Sequence, residues 1–425
     1  MELPVLVVTF FLLMVLGVPV AFTMIGASIA YILLDPTLSL ADIASKLFSG
    51  ISGQSLLALP LYVMVGEIMN SAGITNRLYN FPLSIIGHIK GGLAHVNVLG
   101  SLLFAGMSGS AIADTAGLGK IEIKAMEEEG YDKGFSAAVT GASSTVGPIF
   151  PPSTTMITFA TIAEVSIARL FIGGIVPGIL MTIIMMIYIA IMAKIYDLPT
   201  RPKANLNEML VSAKEAILPM LTPVIIIAGI VTGIATATET GALAVIYSIA
   251  LGFYYNKYTL SEMIDILKGS AATTIKICFI VMGSALFGYV VTMAKIPDMV
   301  SVWLMESGVS KWMILLLINI VLLIMGCFLS ITSSQMIITP ILVVLASMYN
   351  IDLVHLGVFM TLNLTIGLLT PPVGWNLYIL SDITELPFER IVKSVLSLLI
   401  PLAVSLLLIT YFDQIVLWLP NLLLG

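Results

Sequence analysis

Charged residues are scarce in this chain, and their scarcity excludes a soluble protein. Of its 425 residues, 18 are Lys or Arg and 24 are Asp or Glu, so charged residues make up only 10%. A soluble domain carries about 25% charged residues, because its surface must face water. Hydrophobic residues make up 59% of the chain, and the mean hydropathy is +1.09. At roughly 20 apolar residues for each spanning helix, the composition predicts a multi-pass membrane protein with about a dozen membrane segments.

Cysteines are rare, and the motifs of several other protein classes are absent. The two cysteines, Cys278 and Cys327, both lie in apolar runs and indicate neither a disulfide framework nor a metal site. No basic stripe is present, so nucleic acid is not an expected partner. Residues 117–120 resemble the end of a phosphate-binding loop, but Asp114 stands where that loop needs its first glycine. Without a nucleotide-binding motif, ATP is not an expected energy source, and any transport across the membrane would have to use an ion gradient.

The apolar runs divide into uninterrupted helices and interrupted segments. Uninterrupted helices are predicted near residues 3–17, 19–35, 54–72, 74–88, 168–194, 216–235, 237–256, 262–294 and 388–420. Four further segments, 92–126, 133–163, 310–348 and 352–383, are apolar but broken midway by Gly, Pro, Ser or Thr. No basic leader precedes the first run, so we expect this run to remain in the mature protein. The polar stretch 196–215 is the predicted linker between two halves.

The two halves resemble each other at a constant spacing. Residues 145–152 match residues 365–372, which places the second copy 220 positions after the first. The same spacing pairs Gly106 with Gly326, Ser110 with Ser330, and Asp132 with Asp352. Aligned helix breaks at one spacing predict an internal repeat rather than two unrelated loops. If the halves are inverted, most of the 18 Lys and Arg residues fall on one side of the membrane. The positive-inside rule then places the linker in the cytoplasm and both termini in the periplasm.

The four breaks need a chemical reason, because unpaired backbone groups are costly in hydrocarbon and survive only when they line a cavity or lie inside protein. Residues 106–114 and 326–334 are predicted as the tips of two re-entrant helical hairpins. Residues 143–153 and 363–372 are predicted to unwind and restart a helix, and proline suits such a restart. Helix ends that arrive at a break offer carbonyls to a cation, and helices that leave it offer N–H groups to a carboxylate.

Hydroxyl and amide oxygens at the breaks favour Na⁺ and a small organic anion over a transition metal. The residues predicted for a first Na⁺ site are Ser108, Gly109, Asp114, Ser143, Ser144 and Gly147. Those predicted for a second Na⁺ site are Ser333, Ser334, Asn363, Thr365 and Gly367. Those predicted to bind substrate are Ser108, Ser110, Ser153, Ser330, Thr332, Thr370 and Trp375. Two alternatives stay open: these hydroxyls only satisfy kinked helices, and Asp114 only stabilises a helix N-terminus or carries a proton.

The motifs at the breaks resemble a known family. The stretches 106–114, 143–153 and 367–374 are similar to those of the large membrane subunit of tripartite ATP-independent periplasmic (TRAP) transporters, in the ion transporter superfamily. The resemblance runs through both halves and implies Na⁺-driven import of an organic acid, such as sialic acid or a C4-dicarboxylate, across the bacterial inner membrane. It also implies two partners besides the bilayer: a small four-helix membrane subunit and a periplasmic substrate-binding protein. Ser330 departs from the family pattern, where an acidic residue is common.

The resemblance implies an all-α, elevator-type transporter of two inverted-topology repeats, each with a re-entrant hairpin and a discontinuous helix. Scaffold helices are expected at 1–90 and 216–305, and the halves of a mobile transport domain at 91–195 and 306–425, with 196–215 as the cytoplasmic linker. The alternatives are a stand-alone Na⁺/dicarboxylate transporter without a binding protein, and an intramembrane enzyme that uses Asp114. The enzyme would need a second intramembrane carboxylate, so we expect a transporter and not an enzyme.

Overall fold

The computed structural model describes residues 2–71, 74–256, 259–296, 299, 304 and 307–425. Within this part of the chain the regular structure is helical and contains no strand. The first half contains α1 (Glu2–Val15), α2 (Val20–Ile32), α3 (Leu40–Ile51), a 3₁₀ turn (Gln54–Leu57), α4 (Ala58–Ser71), α5 (Ile74–Ile86), α6 (Gly92–Ser108), α7 (Ala111–Ala116), α8 (Leu118–Glu128), α9 (Lys133–Ser144), α10 (Thr154–Ala163) and α11 (Ile167–Ile195).

The second half contains α12 (Leu206–Val231), α13 (Ala237–Asn256), α14 (Leu260–Met293), α15 (Lys311–Phe328), α16 (Ile331–Met348), α17 (Leu353–Gly367), α18 (Trp375–Thr384), α19 (Phe388–Tyr411) and α20 (Gln414–Leu424). Seven of the described helices are long and apolar enough to cross a membrane, namely α11 to α16 and α19. The predicted boundary between residues 305 and 306 lies outside the described residues.

Several features of the fold differ from the sequence prediction. The helix predicted near 216–235 begins ten residues earlier, because α12 starts at Leu206, within the predicted linker 196–215. The helix predicted over 388–420 is wrong as a single element, because α19 ends at Tyr411 and α20 begins at Gln414. Helix α3 was not predicted at all. Ser39 and Asp42 cap it reciprocally, since the Ser39 Oγ accepts from the Ala41 N–H at 3.1 Å and Asp42 accepts from the Ser39 N–H at 2.9 Å. At 12 residues, with no buried side chain, α3 is too short for the hydropathy pattern of a spanning helix.

The helices pack in two groups that meet at a shared surface. In the first group α14 contacts α2, α3 and α4, while α13 contacts α4 and α12. In the second group α9 contacts α6, α8 and α19, and α17 contacts α15 and α16. The groups meet where α4 contacts α6 and α10 and where α14 contacts α16. Small residues allow close approach in the first group: a methyl group at Gly50 would lie 2.7 Å from the Ala285 Cβ.

The helix breaks fall where the sequence predicted them, and equivalent positions share their local geometry. The peptide bonds 151–152 and 371–372, each between two prolines, are both cis. Ser110 and Ser330 both cap the helix that leaves a hairpin tip, accepting from Ala113 N at 3.4 Å and Ser333 N at 3.2 Å. The 220-residue spacing therefore relates local structures as well as sequences. The inversion of the halves stays a prediction.

The linker is bound to the base of the first hairpin. Pro199 O accepts from the Gly91 N–H and the Tyr131 hydroxyl, each at 3.2 Å, and Arg201 pairs with Glu129 at 3.2 Å. Lys90 forms an ion pair with Asp197, and its hydrogen bond and charge hold the pKa of Asp197 below the ordinary value. The polar linker therefore belongs structurally with the hairpin that precedes it.

Candidate functional site

A cavity of about 250 Å³ lies where both hairpin tips, both broken helices and two helices of the first group meet. Side chains from α4 and α14 close one side of it, and the breaks close the other. The polar lining residues are Glu67, Asn70, Ser108, Ser110, Thr154, Thr155, Thr273, Ser330 and Thr332. The fold thus brings together two hairpin tips that are 220 residues apart in the sequence. Lys and Arg are absent from the described lining, so an anion there would meet hydroxyls and helix N-termini.

The first hairpin tip packs backbone to backbone against the first broken helix. Gly109 ends α6 in the left-handed region at φ +60°, and a methyl group there would lie 2.6 Å from Pro152 O. On the other side of the tip, a methyl group at Gly66 of α4 would lie 3.4 Å from Ser108 O. The tip is therefore held between the broken helix and the first group, and Ser108 and Ser110 on either side of Gly109 line the cavity.

Asp114 lies behind the cavity, in the helix that leaves this tip. Its side chain is 2% exposed and accepts a hydrogen bond from the Ser108 hydroxyl at Oδ1. Its Oδ2 has no hydrogen-bond partner, and a methyl group at Gly147 would lie 2.5 Å from it. A buried carboxylate oxygen without a donor is costly, and a bound cation would remove that cost. The structure thus brings Ser108, Asp114 and Gly147 of the predicted first Na⁺ site together.

The other two side chains predicted for the first site have different surroundings. The Ser144 Oγ donates to Gly141 O at 2.8 Å and keeps its lone pairs available as an acceptor. The Ser143 Oγ instead faces α6, where it lies 2.7 Å from the Asn97 Oδ1 and 2.9 Å from the Ser101 Oγ. The Ser143 hydroxyl is thus already hydrogen-bonded within the protein, and the role of Ser143 as an ion ligand stays a prediction.

The predicted second Na⁺ site lies where the second tip meets the end of α17. A methyl group at Gly326 would lie 2.9 Å from Leu364 O, so the tip and the helix end approach backbone to backbone. Ser334 and Asn363 are both fully buried, and the Ser334 Oγ and the Asn363 Oδ1 have no hydrogen-bond partner. The Ser333 Oγ accepts from the Ser330 hydroxyl at 2.8 Å, and the Thr365 hydroxyl donates to Thr361 O at 2.6 Å. Unpartnered hard oxygens therefore occur in this site as well.

The predicted substrate residues divide into two sets. Four of them, Ser108, Ser110, Ser330 and Thr332, line the cavity. The other three do not line it: Ser153 is fully buried and bonds Pro148 O at 2.6 Å, Thr370 bonds Ile366 O at 2.9 Å, and Trp375 is 49% exposed. The neighbours of Ser153, Thr154 and Thr155, reach the cavity in its place. The binding roles of all seven residues stay predictions.

Comparison with known proteins identifies the family. A family profile described as "Tripartite ATP-independent periplasmic transporter, DctM component" matches residues 7–415. The sialic acid TRAP transporter large permease protein SiaM of Vibrio cholerae is 42% identical over 410 residues, 96% of each chain. The C4-dicarboxylate TRAP transporter large permease protein DctM of Pseudomonas aeruginosa is 39% identical over 399 residues, 93% of each chain. The chain belongs to the DctM family of TRAP large permeases. Its resemblance to that subunit is confirmed, and it is a multi-pass protein of the bacterial inner membrane.

A solved structure supports the fold of this TRAP large permease. The crystal structure of the YdaH transporter of Alcanivorax borkumensis superposes with a TM-score of 0.66 over 90% of each chain, at 14% sequence identity. At that identity the likeness concerns the fold alone. The predicted all-α membrane fold class is confirmed.

Sequence reasoning missed the polar residues that the first group contributes to the cavity of this large permease. Glu67 and Asn70 lie three residues apart on α4, and Thr273 lies on α14. The sequence did offer one signal, because Glu67 is an acidic residue within a run that is otherwise apolar enough for a membrane helix. Acidic residues inside membrane helices usually have a functional role.

Two asparagines behind the predicted Na⁺ sites were also missed. Asn97 on α6 accepts from the Ser143 hydroxyl and donates to the Thr140 Oγ1, both at 2.7 Å. Asn319 on α15 accepts from the Asn363 amide at 2.6 Å. Ser143 and Asn363 are equivalent positions at the 220-residue spacing. In each half, an asparagine of the hairpin thus hydrogen-bonds the equivalent residue of the broken helix. The two asparagines themselves are 222 residues apart.

A second buried carboxylate, Glu122 on α8, was overlooked. Its side chain is 1% exposed, its Oε1 has no hydrogen-bond partner, and that atom would lie 3.1 Å from a methyl group at Gly100. The intramembrane enzyme considered above needs two carboxylates at one reaction site. Neither Glu122 nor Asp114 lines the cavity, however, so the pair is not presented to a substrate there.

Proposed function

We propose that this large permease is a secondary active transporter that imports a small organic acid with Na⁺ by an elevator movement, and that it has no enzymatic activity. One observation carries the proposal: both hairpin tips and both broken helices meet at a single polar cavity beside the helices of the first group. Transporters of discontinuous helices bind substrate and ions at such meeting points. The similarity to permeases named for sialic acid and C4-dicarboxylate transport supports an organic acid as substrate.

The lining of the cavity suits a carboxylate. Helices α7, α10 and α16 all begin at it, at Ala111, Thr154 and Ile331. Helix N-termini carry free N–H groups and a partial positive charge, which attract anions without a basic side chain. The hydroxyls of Ser110 and Thr332 add donors for the remaining oxygens of the substrate. Glu67 faces the same space from α4 and is suited to accept hydrogen bonds from substrate hydroxyl or amino groups.

Two Na⁺ ions would bind behind the cavity and travel with the substrate. Asp114 and Gly147 would hold the first ion, while Ser334, Asn363 and Gly367 would hold the second. The support is chemical: at each place buried oxygens lack hydrogen-bond donors. Hard oxygen ligands without imidazole or thiolate suit Na⁺. Binding of both ions would draw each hairpin tip against its broken helix and so shape the cavity for the substrate.

The elevator proposal divides the chain as the sequence analysis predicts. Segments 91–195 and 306–425 would form the mobile domain, and segments 1–90 and 216–305 the scaffold. The cavity lies between helices of these two sets, where a sliding movement would change the side from which it opens. The linker would move with the first mobile half, because Pro199 and Arg201 are bound to Gly91, Tyr131 and Glu129 at its base.

A small membrane subunit and a periplasmic binding protein are the proposed partners. The chain covers 67% of the sialic acid TRAP transporter permease protein SiaT of Haemophilus influenzae, at 38% identity, and 65% of the isethionate TRAP transporter permease protein DctMQ of Oleidesulfovibrio alaskensis, at 34% identity. The remaining third of each relative leaves room for a second unit within one polypeptide. This supports the proposal that a further membrane subunit works with the present chain.

The test is uptake of candidate acids into proteoliposomes that contain the purified permease with its small subunit. Uptake should require both an inward Na⁺ gradient and the binding protein, and should stop when K⁺ replaces Na⁺. Undiminished uptake without Na⁺ would refute ion coupling. Uptake that is equally fast without the binding protein would favour the stand-alone transporter instead.

A further inference from the structure

We propose that Asn376, in the second half of the chain, supplies an oxygen ligand to the Na⁺ site at Asp114 in the first half. The inference rests on the proposed Na⁺ coupling and adds a residue that the motifs do not indicate. Asn376 is fully buried in the first turn of α18. This helix packs against α7, which carries Asp114, and against α9, which leads to the first break.

The hydrogen-bond network assigns one orientation to the amide of Asn376. Its Nδ2 lies 3.2 Å from the Thr115 Oγ1 and 3.3 Å from the Ser144 Oγ. Each of these hydroxyls donates its one hydrogen to its own helix, Thr115 to Ala111 O at 2.9 Å and Ser144 to Gly141 O at 2.8 Å. In this network both oxygens act as acceptors, so the NH₂ group faces them and the carbonyl faces away.

This orientation leaves the carbonyl oxygen without a partner. The Asn376 Oδ1 is buried and receives no hydrogen bond. A second such oxygen, the Asp114 Oδ2, belongs to the residue next to Thr115 and lies against the 144–147 turn. The Asn376 side chain contacts Thr115 and Ser144, and the Asp114 side chain lies against Gly147, so both orphan acceptors belong to side chains beside residues 114–115 and the 144–147 turn. Buried polar atoms are nearly always satisfied, and two acceptors, one of them a carboxylate, call for a cation.

A ligand from the second half makes the first Na⁺ site sensitive to the substrate cavity. The backbone N–H of Asn376 donates to Leu368 O at 3.1 Å, across the second break. Leu368 lines the cavity. A substrate that holds the second break in place also holds the Asn376 amide that completes the ion site, so substrate binding strengthens Na⁺ binding. Because coupling between two binding equilibria is reciprocal, Na⁺ binding strengthens substrate binding by the same factor. The two halves must therefore be assembled before the first ion binds tightly.

The test compares three variants of the permease, purified with its small subunit, by two measurements: the rise in unfolding temperature on adding Na⁺, and the half-saturating Na⁺ concentration for uptake. Asn376→Ala should raise the half-saturating concentration about tenfold or more and reduce the Na⁺-induced stabilisation. Asn376→Asp keeps an oxygen but loses the donor to Thr115 and Ser144, and it should retain Na⁺ binding to within about threefold. Ser405→Ala removes another fully buried hydroxyl, bonded to Pro401 O on α19, and should leave both readouts unchanged.

The variants separate a ligand from a structural residue. If Asn376→Asp loses Na⁺ binding as Asn376→Ala does, the NH₂ hydrogen bonds are what matter and the inference is wrong. If Asn376→Ala binds Na⁺ within twofold of the wild type, the inference is also wrong. Should Asn376→Ala fail to fold, Asn376→Ser, which keeps a smaller oxygen, and Asn376→Asp decide the question by the same criterion. A wild-type protein without any response to Na⁺ would instead refute the proposed function itself.

Discussion

The two proposed Na⁺ sites occupy equivalent places in the two halves but differ in charge. Asp114 in the first half corresponds to Ser334 in the second at the 220-residue spacing, and both carry an orphan oxygen. Ser143 in the first half corresponds to Asn363 in the second. The first site thus has a carboxylate, and the second has only neutral hydroxyl, amide and carbonyl oxygens. Because cation affinity rises with ligand charge, the first site should bind more tightly and the second should be filled later.

The hairpin tips differ in a related way. Gly109 turns the first tip in the left-handed region, whereas its counterpart Leu329 is extended at φ −116° and ψ 158°. The second tip approaches its broken helix one turn earlier, at Gly326. The two repeats therefore share the position of the break, but the glycine that allows the close backbone contact stands at a different position in each repeat.

The largest expected effect comes from removing the charge of the first site. Asp114→Asn keeps the shape of the side chain but leaves the cation without a carboxylate, so the half-saturating Na⁺ concentration should rise roughly 100-fold. Ser334→Ala, at the equivalent position, should raise it only about tenfold. Uptake at graded Na⁺ concentrations measures both. Equal effects would show that charge does not distinguish the sites.

A folding control accompanies this comparison. Without Na⁺, Asp114→Asn should unfold at the same or a higher temperature than the wild type, because it removes an unpaired buried charge. Its stabilisation by added Na⁺ should be reduced to the part that the second site supplies. A variant that is less stable even without Na⁺ would indicate a structural role for the carboxylate.

The next effect concerns the first tip. Gly109→Ala should destabilise the protein by about 2–3 kcal/mol, since alanine is disfavoured in the left-handed region and its methyl group would meet Pro152 O. Gly130→Ala is the matched control, because Gly130 has φ +85° with no atom within 4 Å of a methyl group. Gly130→Ala should lower the free energy of unfolding by only about 1 kcal/mol. Thermal unfolding of the detergent-purified complex gives the difference, and equal losses would contradict the close approach at the tip.

The two asparagines behind the sites should have a smaller effect. Asn319→Ala removes the acceptor that orients the Asn363 amide and should raise the half-saturating Na⁺ concentration about tenfold, with the maximal uptake rate unchanged. Asn319→Asp keeps that acceptor and should restore the half-saturating Na⁺ concentration of the wild type. Asn97→Ala should matter less, because the Ser143 hydroxyl also lies 3.0 Å from Thr140 O and keeps a partner. A fall in maximal rate without a change in Na⁺ dependence would argue against a positioning role.

The smallest effect should be the same in both halves. Asp132 and Asp352 cap α9 and α17, accepting from Phe135 N at 2.9 Å and Val354 N at 2.7 Å. Replacing either with alanine should lower stability by about 1 kcal/mol. The exposed pair between Asp132 and Arg390 adds little. Unequal losses in thermal unfolding would mean that the halves differ at their helix starts as well as at their ion sites.

Most of the features that could be predicted follow from local sequence patterns. Glycine, proline and serine placed the breaks near Gly109 and Ser330 because each acts on its own stretch of backbone, through conformational freedom or a missing donor. Helix α3 could not be predicted because it is short and amphipathic. The break after Tyr411 could not be predicted because the sequence stays apolar on both sides of it. Thr154 and Thr155 replaced Ser153 at the cavity because one helical residue changes the direction of a side chain by about 100°.

By itself the sequence determined an all-helical membrane protein with doubled helix breaks, since low charge and breaker residues act locally and hydrocarbon forbids loose backbone. The tertiary structure alone decided which distant residues share one site. Asn376 reaches Thr115 and Ser144 across 261 and 232 residues, and no spacing in the chain records that contact. Glu67 lines one cavity with the tips of both hairpins for the same reason. Helix packing, set by many small contacts at once, brings these side chains to the cavity and to the proposed ion site.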